Sequence, residues 1–305
     1  MANSFIPSDY RPHIWVKVLP ALENIFYGAN LSNIISAHQH VVLDLLAWFP
    51  YGILHFGGPV IWAILMFLFS APGTVPIYAQ TFGYMNILGV AIQLIFPCSP
   101  PWYENMYGLS PANYSMEGSP AGLRRIDLLF GIDLYTTNFT ASPLVFGAFP
   151  SLHSGNAVLE ALFMSHCFPK LRPFVVAYAM WMWWATMYLS HHYAVDLVFG
   201  AFLAAVSFYI AKTNFLPRIQ MDKFFRWEYD YVEYGDAQSS GYEYGLQEFG
   251  GDDFRHDSSD EWTVGSSSSI SSGSRSPVDE SHSSWEGETL ASQASDTELN
   301  ELPTR

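Results

Sequence analysis

Gly147-Ala148-Phe149-Pro150-Ser151-Leu152-His153-Ser154-Gly155 opens one long apolar run, and Ser190-His191-His192-Tyr193-Ala194-Val195-Asp196 opens the next but one. The run between them begins at a short basic turn, Lys170 and Arg172, so the two flanking it read as a hairpin. A hairpin of helices brings its far ends together, which sets His153 across one site from His192 and Asp196. These last two are four apart and share a helix face. A carboxylate there holds an imidazole in one tautomer and stabilises its cation. A lone His-x-x-x-Asp also occurs in purely structural settings. Pro-Ser-x-His-Ser-Gly at the matching helix end makes the pair a candidate catalytic constellation, and ionisable groups at a membrane boundary are costly enough that function is their default reading.

Working outward, spans of about 20 apolar residues cross a bilayer, and five are expected: 42–70, 76–97, 152–168, 172–190 and 194–212. Gly57-Gly58-Pro59 is expected to bend the first or divide it. No period-2 strand pattern competes, so the fold class is an all-α membrane protein, a polytopic helical bundle. Residues 1–40 read as a lumenal or interfacial segment in which Leu19 to Tyr27 form a short amphipathic surface helix or a plain polar connector. Residues 41–218 are the catalytic domain, and 219–305 a disordered, acidic, Ser-rich tail. Lys170, Arg172, Lys212, Arg218 and Lys223 mark the cytoplasmic side, which sets the histidines and the 98–148 loop on the lumenal side and the tail in the cytoplasm.

Half of the 305 residues are hydrophobic, yet the formal net charge is −15. The tail explains the difference: it holds 19 of the 28 Asp and Glu but five of the 13 Lys and Arg. The acidity therefore says nothing about the site. Ser258-Ser259-Asp260-Glu261 and Ser295-Asp296 read as acidic-directed phosphorylation sites or as part of a solubilising tail. Cys98 and Cys167 fall at opposite membrane faces, with no zinc spacing or disulfide framework. No phosphate-binding loop, dinucleotide fingerprint or basic nucleic-acid patch is present. No cofactor, no metal and no nucleic-acid partner are expected. Asn30, Asn113 and Asn138 head glycosylation sequons, too near the membrane for Asn113 to be used.

The Pro-Ser-x-His core and His-x-x-x-Asp ending resemble the type-2 phosphatidic acid phosphatase superfamily. Longer strings resemble its fungal inositol phosphorylceramide synthase branch: Val16 to Pro20, Phe82 to Asn86, Pro100 to Tyr103, Ala112 to Tyr114, Gly118 to Pro120, Arg125 to Asp127, Gly147 to Gly155, and Met187 to Leu189 with His191 to Tyr193. The resemblance implies transfer of phosphoinositol from phosphatidylinositol to ceramide with release of diacylglycerol, a Golgi membrane in a fungal sphingolipid pathway, and a small regulatory membrane subunit as partner. It also implies a six-helix core, whose first helix is then expected to be missing from this sequence.

Two histidines on opposite sides of phosphorus solve the difficulty of a phosphodiester, one as nucleophile and one as general acid. His192, held by Asp196, is the expected nucleophile, forming a phosphohistidine, and His153 protonates the departing diacylglycerol oxygen. Arg125 is the candidate phosphate clamp, with Arg124 behind it. Ser151 and the backbone N–H groups near Ser154 and Gly155, at a helix start, are further anion-binding candidates. Asp127 either pairs with Arg125, the favoured reading, or meets an inositol hydroxyl. His191 is secondary, with a headgroup hydroxyl as its alternative partner. His55 and His166 read as structural, and Trp181, Trp183 and Trp184 as helix packing or lipid contact, with a ceramide-facing alternative.

Two departures stand out. The superfamily's Lys-x6-Arg-Pro motif has no match before the third span, and Ala185-Thr186 replaces the Ser-Arg ahead of the third-motif histidine. A lipid phosphate phosphatase, using the same histidines on a monoester, and an inactive membrane scaffold are the rival readings.

Overall fold

The computed structural model describes residues 7, 10–220, 222–235 and 244–245, all within the compact unit Met1–Phe249. Both serine-acidic strings of the tail lie outside the described residues. The elements are α1 (Val18–Tyr27), α2 (Leu31–Ser36), α3 (Val41–Trp48), a π-helical turn (Phe49–Leu54), α4 (His55–Phe69), α5 (Thr74–Ile95), α6 (Pro101–Tyr107), α7 (Leu123–Phe130), α8 (Leu134–Thr140), α9 (Leu152–Cys167), α10 (Arg172–Tyr188) and α11 (Ala194–Asn214). Two-residue strands, Tyr231–Val232 and Tyr244–Gly245, pair antiparallel after the bundle.

α9 is the central helix. Its buried residues, among them Ser154, Leu159, Glu160, Phe163 and Met164, cover most of the cylinder, as expected of a helix packed on several sides, and the Val158, Leu162 and Ser165 face is half-buried. α4, α5, α10 and α11 surround it, and Met66, Tyr78, Met85, Phe163 and Met182 fill the space between them. Small residues set the closest approach. A Cβ on Gly200 of α11 would collide with the Ser151 carbonyl oxygen, and one on Gly155 would sit 3.5 Å from the Gly200 carbonyl. The bare backbones let α9 and α11 come together at the end that carries the histidines.

Of the five expected spans, two helical stretches are long and apolar enough to cross a membrane by length and composition: Val41–Phe69, 29 residues, and Ala194–Asn214, 21 residues. α9 and α10 have 16 and 17 residues, short of the ~20 that a bilayer takes. The first span is not divided at Gly57-Gly58-Pro59, where α4 runs on through Pro59. Instead its irregularity is the π-helical turn Phe49–Leu54, just before those residues, the kind of widened turn that collects at functional sites. Gly58 has a packing role: a Cβ there would lie 3.4 Å from Glu160 Oε2 of α9.

Outside the bundle, the 98–148 segment folds into α6, α7 and α8. Three chain segments are laced beneath them: Trp15 N–H donates to Pro97 O (2.8 Å), Cys98 N–H to Phe146 O (2.8 Å) and Ala148 N–H to Cys98 O (3.3 Å). This lacing fixes the stretch leading into α9. Helix α1 is more than a surface helix or a connector. It exposes Ile25 and Phe26 but buries Glu23, whose carboxylate accepts the Ala194 and Val195 N–H groups at 3.3 and 3.2 Å. Those are orphan donors at the start of α11. Burial raises the Glu23 pKa, and the same N–H groups pull it back.

Candidate active site

Residue by residue, the site is assembled at one end of the bundle. Ser151 caps α9, its side chain accepting the Ser154 N–H, and the next turn presents His153. On the other side α10 ends at Tyr188, and Ser190 adopts a left-handed conformation, φ 60°, which is unusual for a residue with a Cβ. That turn folds His191 and His192 back so that both N–H groups reach the Thr186 carbonyl, at 3.0 and 3.4 Å. Thr186, standing where the superfamily has arginine, is thus a buried anchor of the histidine turn.

The three residues read as catalytic come together. His192 Nδ1 lies 3.1 Å from Asp196 Oδ2, and His192 Nε2 lies 3.0 Å from His153 Nδ1. A carboxylate only accepts, so His192 Nδ1 carries the proton and Nε2 presents a lone pair. Asp196 is fully buried, and its other oxygen has no hydrogen-bond partner. Both histidines line a cavity of about 150 Å³, with Tyr51, Trp102, Ser119 and Phe139.

Two residues that the sequence did not assign to the site join them. Tyr51, on the π-helical turn, stacks on His153 with ring centroids 4.5 Å apart and sits 2.7 Å from His191 Nδ1. His55 follows one turn later with its ring 4.6 Å from that of His153, so the structural reading of His55 gives way to a place beside the site. No spacing signal connects either residue to position 153; the π turn puts them there.

His191 has neither nitrogen to spare for a headgroup hydroxyl. Its Nε2 lies 3.2 Å from the Pro120 carbonyl, which only accepts, so Nε2 donates and Nδ1 accepts from the Tyr51 hydroxyl. Burial, then the neighbouring His192, pushes the His191 pKa down to about 3, which keeps this tautomer neutral.

The expected phosphate clamp is elsewhere. Arg125 does not line the cavity; its Nε donates to Asp44 Oδ1 at 2.8 Å, and Tyr188 O–H donates to the same oxygen at 2.9 Å. Asp127 does not pair with Arg125, because residues two apart on α7 point to different sides. It accepts from Tyr135 N–H (3.1 Å), Thr136 N–H (2.7 Å) and the Thr136 hydroxyl (2.8 Å). Burial pushes its pKa up, but those donors win and hold it below the ordinary value. Ser154 donates its hydroxyl to Leu197 O at 2.6 Å. The Ser154 and Gly155 N–H groups are spent on Ser151, so these two donors are already taken. Trp181 donates to Leu46 O at 3.0 Å, tying α10 to α3 in line with the packing reading.

A histidine relay ending on a buried aspartate, presented by the ends of adjacent helices, defines a class that sequence comparison identifies directly. A family model of the PAP2 superfamily matches residues 15–210, and the chain belongs to that superfamily. Within it, the chain is 57% identical over 235 residues to the inositol phosphorylceramide synthase catalytic subunit of Schizosaccharomyces pombe, covering 77% of this chain and 56% of that protein. It is 52% identical over 233 residues to the inositol phosphorylceramide synthase of Candida albicans, covering 76% and 50%. With the Saccharomyces cerevisiae catalytic subunit the identity is 50% over 238 residues, covering 78% and 59%. The chain therefore spans about half the length of the curated relatives it matches.

Proposed function

We propose that this chain carries the catalytic core of an inositol phosphorylceramide synthase, transferring phosphoinositol from phosphatidylinositol to ceramide and releasing diacylglycerol. One observation carries the choice of a diester substrate: the cavity around His153 and His192 is lined by histidines, aromatics and small residues, with no lysine or arginine among the described residues. A phosphomonoester brings about −1.5 to −2 charges at pH 7, whereas a phosphodiester brings a single charge. A clamp-free cavity suits the diester and argues against a phosphatase acting on phosphatidate. The names of the relatives point the same way.

In this reading His192 Nε2 attacks phosphorus while Asp196 holds Nδ1–H. As the bond from phosphorus to the diacylglycerol oxygen breaks, doubly protonated His153 gives that oxygen a proton. The ceramide hydroxyl then returns a proton to His153 and displaces His192. At 3.0 Å the two rings leave no room for phosphorus between them, so His153 turns aside as the phosphoryl group enters. Ser151, Ser154, Gly155, Arg125 and Asp127 act behind the site, as caps and packing.

The bundle is read as membrane-embedded, with α3–α4, α5, α9, α10 and α11 as its five spans. Large apolar side chains on their outer faces, such as Phe56, Ile87, Phe174 and Phe202, are 65–72% exposed, as lipid contact requires. Lys170, Arg172 and Lys212 cluster at the end opposite the histidines, which favours a lumenal site and a cytoplasmic tail. A Golgi membrane and a small regulatory membrane subunit complete the proposal.

The test is expression of the chain in membranes with labelled ceramide and phosphatidylinositol, wild type against His192→Ala. Labelled inositol phosphorylceramide from the wild type alone is expected. Inorganic phosphate released from phosphatidate would restore the phosphatase reading, and lipid products unchanged by the substitution would leave a scaffold.

A further inference from the structure

A second cavity, of about 320 Å³, adjoins the histidine cavity outside the bundle, and Ser142, Leu144 and Val145 line both. We propose that it is the subsite for the polyol headgroup, resting on the synthase reading above and placing the inositol ring away from Asp127 and His191. The volumes divide the substrate naturally. Pockets for small molecules start near ~300 Å³; the histidine cavity, at about 150 Å³, takes the phosphoryl group but not a six-membered ring as well.

The wall chemistry is that of a neutral polyol. Every inositol hydroxyl both donates and accepts, so its site needs donors and acceptors interleaved without net charge. Arg11 and Glu117 both line the cavity, so its wall carries one cationic and one anionic group. Glu117 is exposed to the cavity and forms no hydrogen bond or ion pair in the structure, which leaves both oxygens to accept. Arg11 lies over the Tyr114 ring at 5.7 Å. The Tyr114 hydroxyl donates to Pro12 O and the Thr140 hydroxyl to Thr136 O, so both keep lone pairs to offer. Ser142 Oγ accepts the Leu144 N–H and keeps its proton to donate. Arg11 disfavours a cationic headgroup here, and Glu117 disfavours a second phosphate.

Two arms test this on the full chain in membranes. In the first, Ser115→Cys puts a thiol on the cavity wall, and Cys98 and Cys167 are both buried, so a water-soluble maleimide reports the introduced thiol. Inositol 1-phosphate is expected to slow labelling at least about threefold, with glycerol 1-phosphate leaving it unchanged. Equal rates with both ligands and with none overturn the subsite, whether or not the wild type makes product. In the second arm, Glu117→Gln removes a charged acceptor and is expected to raise KM for phosphatidylinositol about tenfold with kcat changed less than about threefold. A KM unchanged in an active enzyme overturns the role of Glu117. A wild type that makes no product while labelling is still protected would sink the synthase reading and leave the polyol site standing.

Discussion

Two clusters of buried polar side chains meet at the α10 to α11 turn, and they are built on opposite principles. Around Arg125, cation, carboxylate and phenol satisfy one another: Asp44 takes two bonds on one oxygen, and the guanidinium also lies 5.5 Å from the Tyr188 ring centre. Around His192 the bonds run from Asp196 through His192 to His153, both histidines line a cavity, and Asp196 keeps one oxygen unpartnered. Polar groups that satisfy each other hold helices together; polar groups left incomplete are available for chemistry. Arg125 sits in a motif string, yet its partners place it in the first class.

Asp196→Asn attacks the second class at its root and should have the largest effect. An amide can donate to His192 Nδ1, which moves the proton to Nε2 and removes the attacking lone pair. Turnover is expected to fall about 10³-fold or more with little change in thermal unfolding, measured as inositol phosphorylceramide formed per unit of folded enzyme. A loss under tenfold would show that the tautomer is not held through Asp196. Arg125→Ala tests the other class. It strands Asp44, 5% exposed, and is expected to cost about 2–3 kcal/mol of stability, below the full range for a buried pair because Arg125 is partly exposed. Adding Asp44→Ala should recover a good part of that loss in a double-mutant cycle. Equal turnover per folded molecule would separate Arg125 from the chemistry, and a large fall in kcat with unchanged stability would return it to the site.

How much of this was legible beforehand follows from the range of each signal. His192 and Asp196 are four apart on one helix, and the hairpin alone brings His153 to them, so the relay could be read from spacing. Helix starts at 152 and 172 were also legible, the first from the Ser151 cap and the second from Pro173 in the first turn. Tyr51 and His55 were not, because a π turn shifts the face of the helix beyond it, and periodicity carries no warning of that shift. Glu23 was equally silent, since it caps a helix 171 positions away. The partners of Arg125 and Asp127 were not legible, because a charged residue in a motif string does not announce which neighbour will satisfy it.

The histidine turn sharpens the contrast through pH. His191 is neutral when folded, because burial pushes its pKa down to about 3 from the ordinary 6.5. The unfolded chain therefore binds the extra proton first as pH falls, so the stability linked to this group is intact above about pH 6.5 and declines below it until about pH 3. Between pH 7 and 5 the loss from this residue comes to about 2 kcal/mol. His191→Gln should flatten that part of the profile of unfolding free energy against pH; an unchanged slope would mean that His191 does not stay neutral.

Tyr51 offers the smallest and most local test, because it belongs to both clusters' border. Its hydroxyl serves His191, which is fully satisfied, and its ring covers His153, which is not. Tyr51→Phe keeps the ring and deletes the 2.7 Å hydrogen bond, leaving His191 Nδ1 buried without a donor. The expected cost is about 1–2 kcal/mol of stability, with turnover reduced less than about tenfold because the stacking on His153 survives. Tyr51→Ala removes both contacts and should lower kcat well beyond the Phe variant. If the two variants lose equal activity, the hydroxyl alone matters and the stacked ring plays no part in holding His153; if neither loses any, the π turn serves packing rather than the site.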